Sequence, residues 1–106
     1  MNIALLTAGG AGNRMGQDIP KQFMCIDNKP VVIYTLEAFQ IHPEIDAIAV
    51  VCIPGWEVVL QAYSNQFNIS KLKWIFAGGS TNQESIYNGI VGVKEVGCSM
   101  DSIILV

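Results

Sequence analysis

Residues 3–23 read IALLTAGGAGNRMGQDIPKQF, and the rest of the chain is organised around them. Ile3-Ala4-Leu5-Leu6 is a short apolar run of the kind that fills a strand buried on both faces. It breaks into Gly9, Gly10 and Gly12, and two cations follow, Arg14 and Lys21. Glycines at the end of a parallel strand let the backbone turn tightly and bring bare N–H groups against an anion. In open α/β sheets ligands sit there, outside the carboxyl ends of the strands. Arg14 and Lys21 add full positive charges to the partial charges of those amides. The pattern describes a site for a polyphosphate, most simply a nucleoside triphosphate.

The spacing excludes two commoner phosphate loops. A Walker loop needs Gly-x-x-x-x-Gly-Lys-Ser/Thr, and no Lys-Ser or Lys-Thr follows these glycines. The dinucleotide fingerprint Gly-x-Gly-x-x-Gly is met only by Gly10, Gly12 and a displaced Gly16. It also requires an acidic residue about 20 positions on for a ribose hydroxyl; Asp27 comes too early and Glu37 falls within a predicted helix. A bare glycine cluster reads equally well as a strand-to-helix turn. The Arg-Met-Gly and Pro-Lys-Gln-Phe that follow it turn the reading towards phosphate.

The 106 residues are enough for one core and not for two. Hydrophobic residues make up 51% and charged residues 14%, a balance suited to buried parallel strands under helices, with an interface left open. No apolar run approaches the roughly 20 residues needed to cross a bilayer, and the first residues lack the basic flank of a signal peptide. A net charge of −3 with six cations makes no electrostatic case for nucleic acid. Positive potential is expected only locally, around Arg14, Lys21 and Lys29. Cys25, Cys52 and Cys98 are odd in number and scattered. They argue against a disulfide framework or zinc site and for a reducing, cytoplasmic setting. Cys52, within Val50-Val51-Cys52-Ile53, is expected to be a buried small hydrophobe. His42, the single histidine, is expected at a helix end.

Lys29-Pro30 opens a predicted helix with Pro near its first turn, carried by Val32, Leu36 and Phe39 with Ile33 and Ile41, and ended by Pro43. Asp46 to Ile53 reads as a second buried strand, broken by Pro54-Gly55. Trp56, Val59, Leu60, Tyr63 and Phe67 give an amphipathic helix whose aromatic stripe is core. Leu72 to Ala77 is a third strand, again ending in glycines, Gly78-Gly79. Two overlapping capping boxes follow, Ser80 with Gln83 or Thr81 with Glu84. Ile86, Ile90 and Val93 then form the apolar face of a third helix, stopped by Gly97, and Ser102 to Val106 is a fourth strand. Strand and helix thus alternate, which gives an α/β fold: an open, mostly parallel, Rossmann-like sheet with helices on both faces.

Ala8-Gly9-Gly10-Ala11-Gly12-Asn13-Arg14-Met15-Gly16, with Pro20-Lys21-Gln22-Phe23, resembles the signature of the cytidylyltransferases that act on polyol phosphates, those making CDP-methylerythritol and CDP-ribitol. Lys29-Pro30-Val31 and Thr35-Leu36 continue the likeness. So does the segment from Gly78-Gly79 through Ser85 to Asn88-Gly89, so that it runs across essentially all 106 residues. It implies a nucleotidyltransferase (GT-A-like) fold, of which residues 1–106 are the nucleotide-binding N-terminal part, truncated after the fourth strand. The family continues with a His-Asp-x-x-Arg-Pro segment whose Asp binds magnesium, a further metal-binding Asp, and an arm that completes the partner subunit's site. Ligands for Mg2+ are therefore expected beyond Val106, with none in this stretch, and the full-length form is expected to be a homodimer.

The reaction implied is transfer of a cytidylyl group from CTP to 2-C-methyl-D-erythritol 4-phosphate or ribitol 5-phosphate. Arg14 and Lys21 are the expected catalytic cations. The backbone of Ala8, Gly9, Gly10 and Gly12 is expected to line the nucleotide, with Gly79, Ser80 and Ser85 meeting the base and ribose. Ser80 reads also as a helix cap, and Ser85 also as a solvent-facing residue one turn into the helix. Asn82 departs from the family, which usually has Arg there. Gly9, where methylerythritol members have Ala, leans to the ribitol type. Two other readings stand beside this one: a non-catalytic nucleotide-binding fragment, and a nucleotidyltransferase using another base and a sugar 1-phosphate. The absence of Pro-Leu-Thr between Arg14 and Pro20 speaks against the latter.

Overall fold

The longest apolar runs of the chain become the inner strands of one sheet. A computed structural model describes residues 2–8, 19–79, 81–96 and 103–105; Gly9, Gly10, Gly12, Arg14, Ser80 and Cys98 lie outside these. Strand β1 (Ile3–Ala8) is followed by a 3-10 turn (Lys21–Phe23) and a two-stranded hairpin, β2 (Cys25–Ile26) and β3 (Lys29–Pro30). Then come α1 (Val31–Gln40), β4 (Ala47–Cys52), α2 (Glu57–Gln66), β5 (Leu72–Ala77), α3 (Asn82–Glu95) and β6 (Ile103–Leu105). The main sheet has the order β5-β4-β1-β6, with every pair parallel.

Period-two alternation divides the inner strands between two cores. Ala4, Ile48, Val50 and Cys52 join Val32, Ile33 and Leu36 of α1 and Leu60 of α2 on one face. Ile3, Leu5, Ala47, Ala49 and Val51 join Val93 of α3 on the other. Burial of each such Ile, Leu or Val contributes about 2 kcal/mol before entropy is set against it. On the α3 face the helix backbone comes very close to the sheet. A Cβ on Gly89 would lie 2.6 Å from Cγ2 of Val51 and 3.0 Å from Cδ1 of Leu5. That contact shifts the inward face of α3 towards Ser85, Gly89 and Val93, while Ile86 and Ile90 are only half-buried.

The helix and strand boundaries follow the sequence closely, with two refinements. Pro30 is the residue before α1 rather than part of its first turn, in extended backbone, where a missing N–H is equally harmless. Of the two possible caps for α3, the described one is Thr81, whose Oγ1 accepts the Glu84 N–H at 3.1 Å. The 3-10 turn and the hairpin were not foreseen. Asp27 and Asn28, at φ of 54° and 63°, form its two-residue turn, the left-handed geometry that Asp and Asn tolerate best after Gly.

Candidate functional site

Register places the ends of three strands in one row. Ala8 of β1 pairs with Cys52 of β4, and Cys52 with Ala77 of β5. With strands about 4.8 Å apart, Ala8 and Ala77, the last residues of β1 and β5, end at the same sheet edge about 10 Å from each other. It is the carboxyl edge, where α/β sheets hold ligands. Beyond β1 the sheet order reverses to β6, and such reversals open a crevice at that edge. Ala8, expected to line the nucleotide, is thus the last residue of β1. Its neighbours Gly9, Gly10 and Gly12 lie outside the described residues, as does Arg14.

The second glycine turn is held from two directions. The Gly78 N–H donates to the Cys52 carbonyl at 2.7 Å, and the Gly79 N–H to Ser85 Oγ at 3.0 Å. Ser85 is therefore not solvent-facing: it is 1% exposed, and its hydroxyl braces the turn. A Cβ on Gly79 would stand 2.6 Å from the Cβ of Glu84, so no other residue allows the turn to fold this closely over α3. With both N–H groups engaged, the turn offers acceptors, and among the described residues neither carbonyl receives a hydrogen bond. Ser80, the other residue expected here, is outside the described set.

Lys21 belongs to the other face of the sheet, the one packed by α1 and α2. It opens the 3-10 turn whose Phe23, 3% exposed, stacks on Trp56 with ring centroids 4.8 Å apart. Trp56 follows the Pro54-Gly55 turn at the end of β4 and donates its N–H to the Ile53 carbonyl at 3.0 Å. The Lys21 turn and the Gly78-Gly79 turn are thus both fastened to the carboxyl end of β4. The Lys21 side chain is exposed, and its ammonium makes no hydrogen bond or ion pair among the described residues. Lys21 itself, with Gln22, Met24, Cys25, Ile26 and Val31, lines a mostly apolar hollow of about 470 Å³.

Lys29, expected to add to the local positive potential, does something else. Its Nζ lies 2.8 Å from Glu37 Oε1, with the Tyr34 ring 4.9 Å and the Phe67 ring 5.5 Å away. The charge is neutralised and spent on fastening the hairpin to α1, where Tyr34 Oη also donates to the Ile26 carbonyl at 2.7 Å. His42 sits just past α1, where its Nδ1 accepts the Glu44 N–H. Cys52 is fully buried, and burial, reinforced by the nearby Glu57 carboxylate, pushes its thiol up to about 11. Among the described residues no group of three or more His, Cys, Asp or Glu side chains could hold a metal ion, so these residues alone do not fit a magnesium site. No helix among them is long and apolar enough to cross a membrane.

Comparison with known proteins places the chain in a family. Residues 2–106 match the family model described as IspD: 2-C-methyl-D-erythritol 4-phosphate cytidylyltransferase. The chain belongs to this family. Relatives include a ribitol-5-phosphate cytidylyltransferase of Lacticaseibacillus paracasei, 44% identical over the whole chain and 45% of that protein. Another ribitol-5-phosphate cytidylyltransferase, of Vibrio parahaemolyticus, is 49% identical over 90% of the chain and 40% of that protein. A 2-C-methyl-D-erythritol 4-phosphate cytidylyltransferase of Clostridium botulinum is 39% identical over 89% of the chain and 41% of that protein. The chain thus spans 40–45% of the length of these cytidylyltransferases. The crystal structure of 4-diphosphocytidyl-2C-methyl-D-erythritol synthase from Anaerococcus prevotii superposes with a TM-score of 0.69. It is 20% identical and covers 99% of this chain and 41% of that one, a likeness that speaks for the fold.

Proposed function

We propose that this chain forms the nucleotide-binding part of an enzyme that transfers a cytidylyl group from CTP to a polyol phosphate. The observation that carries the reading is the register that ends β1, at Ala8 before a glycine run in the sequence, level with β5, at Ala77 before the Gly78-Gly79 turn, on one carboxyl sheet edge, in a chain of the cytidylyltransferase family. A polyol-phosphate oxygen attacks the α-phosphorus of CTP in line. The new P–O bond forms as the bond to the β-phosphate bridging oxygen breaks, and pyrophosphate leaves with that electron pair. Both reactants are anions, so the protein's part is positioning and charge stabilisation. Arg14, whose planar fork can hold two phosphate oxygens, grips the triphosphate, and Lys21 meets charge building on the α-phosphate. The glycine backbone after Ala8 lines the phosphates. The acceptor-only Gly78-Gly79 turn suits the amino group of cytosine, with Ser80 and Ser85 on the ribose side and holding the turn.

Ribitol 5-phosphate is the acceptor we favour over 2-C-methyl-D-erythritol 4-phosphate. Gly9 supports it, as does the greater identity to the two ribitol-5-phosphate enzymes. A magnesium ion, if used, takes carboxylates other than those described, and no step above runs through it. A homodimeric, cytoplasmic full-length protein completes the proposal. The test is release of pyrophosphate by the natural full-length protein given CTP with each polyol phosphate in turn. Turnover with ribitol 5-phosphate, lowered about 100- to 1000-fold by Arg14→Ala or Lys21→Met, is the expected result. Turnover only with ATP, GTP or UTP, or with a sugar 1-phosphate, would overturn it.

A further inference from the structure

Nothing among the described residues holds the Lys21 ammonium, so the place from which this cation extends is set by the backbone turn that carries it. That turn is only three residues long. Its hydrogen bonds are the Phe23 N–H to the Pro20 carbonyl at 2.9 Å and the Met24 N–H to the Lys21 carbonyl at 3.2 Å. A further bond from the Val31 N–H to the Met24 carbonyl, at 2.9 Å, closes the far side. A 3-10 turn of this length is marginal by itself and takes its stability from packing. The packing is concentrated in one side chain: Phe23 is 3% exposed, two residues after an exposed Lys21, and its ring partner is Trp56 at 4.8 Å and 27°. Trp56 in turn belongs to the β4–α2 connection. Its N–H is bound by Ile53 and its carbonyl accepts the Leu60 N–H at 2.9 Å, Leu60 being fully buried.

We infer that Trp56 is a positioning residue for Lys21, holding through Phe23 the turn that carries the cation. The inference rests on the reading of Lys21 given above and adds a residue that touches no substrate. Stacked aromatic pairs are specific in geometry, so the ring of Trp56 fixes where Phe23, and hence Lys21, can stand. Loss of the ring leaves Phe23 packed in the core but free to settle elsewhere, and displacement of a catalytic group by an ångström is enough to cost up to about a hundredfold in rate.

Two readouts test it. Amide exchange on the 106-residue chain reads the turn itself. In Trp56→Ala the Phe23 and Met24 amides should exchange about tenfold faster, while Ile48 and Val50 in β4 keep their protection. Kinetics of the natural full-length protein read the consequence. Trp56→Ala should lower kcat at least about tenfold with KM for CTP changed less than about twofold, Trp56→Phe should restore most of the loss, and Trp56→Ala should cost little further in a Lys21→Met background. Phe23→Leu, which keeps apolar volume and removes the stack, should give the same pattern and serves if Trp56→Ala does not fold. Unchanged Phe23 and Met24 exchange, or a kcat loss that simply adds to that of Lys21→Met, would overturn the inference. Full activity in Lys21→Met would instead overturn the role given to Lys21, and with it any catalytic use of the Trp56 contact.

Discussion

Ser85 shows how a single hydroxyl can change its meaning once its surroundings are known. By position it is one turn into a helix, and only its burial and its bond to the Gly79 N–H reveal it as the brace of the second glycine turn. Ser85→Ala should therefore cost about 1–2 kcal/mol in urea unfolding, because a part-buried N–H loses its acceptor; a change below a few tenths would show that the bond contributes nothing. Cys52 and Cys25 make the opposite pair. Cys25 is exposed and Cys52 buried, with a thiol raised from 9.0 to about 11. At pH 8 iodoacetamide should label Cys25 in the native chain and reach Cys52 only after unfolding. The sign of the linkage follows: a thiol whose folded pKa is raised resists ionisation, so its contribution to stability is complete below pH 9 and declines as the pH climbs through about 11. Cys52→Ala should flatten that part of the stability profile.

At the scale of elements, the strands and the three helices were readable because each carries a single clear period, apolar runs for β1 and β4 and an i, i+3, i+4 stripe for α2. The 3-10 turn and hairpin were not. Their strands are two residues each, too short to show any alternation, and the usable signal was the Asp27-Asn28 pair alone. The inward face of α3 was read only in part for a related reason. Hydrophobicity points to Ile86, Ile90 and Val93, whereas the sheet contact runs over Ser85 and Gly89, where the absence of a side chain is what permits it. Gly89→Ala should on propensity alone stabilise α3 by about 1 kcal/mol. Because its Cβ would press on Val51 and Leu5, both fully buried, the expected outcome is a net loss of roughly 1–2 kcal/mol by urea or thermal unfolding.

For the whole molecule, the proposed function rests on the carboxyl edge of β1, β4 and β5. The sequence placed glycines after two strands, but only the register of Ala8, Cys52 and Ala77 brings those two strand ends to one edge. Neither was it legible that Lys29, expected as part of a local positive cluster, would be tied to Glu37; pairing of this kind depends on contacts across α1 that no local pattern encodes. The claim that matters most is that this edge receives a cytidine nucleotide, and chemical-shift mapping tests it on the chain itself. Titrating the 106-residue protein with CTP should shift the amides of Gly78, Gly79, Ser85 and Lys21, with ATP at the same concentrations moving them far less. Shifts of equal size with ATP, or a response confined to residues away from the ends of β1, β4 and β5, would contradict the account.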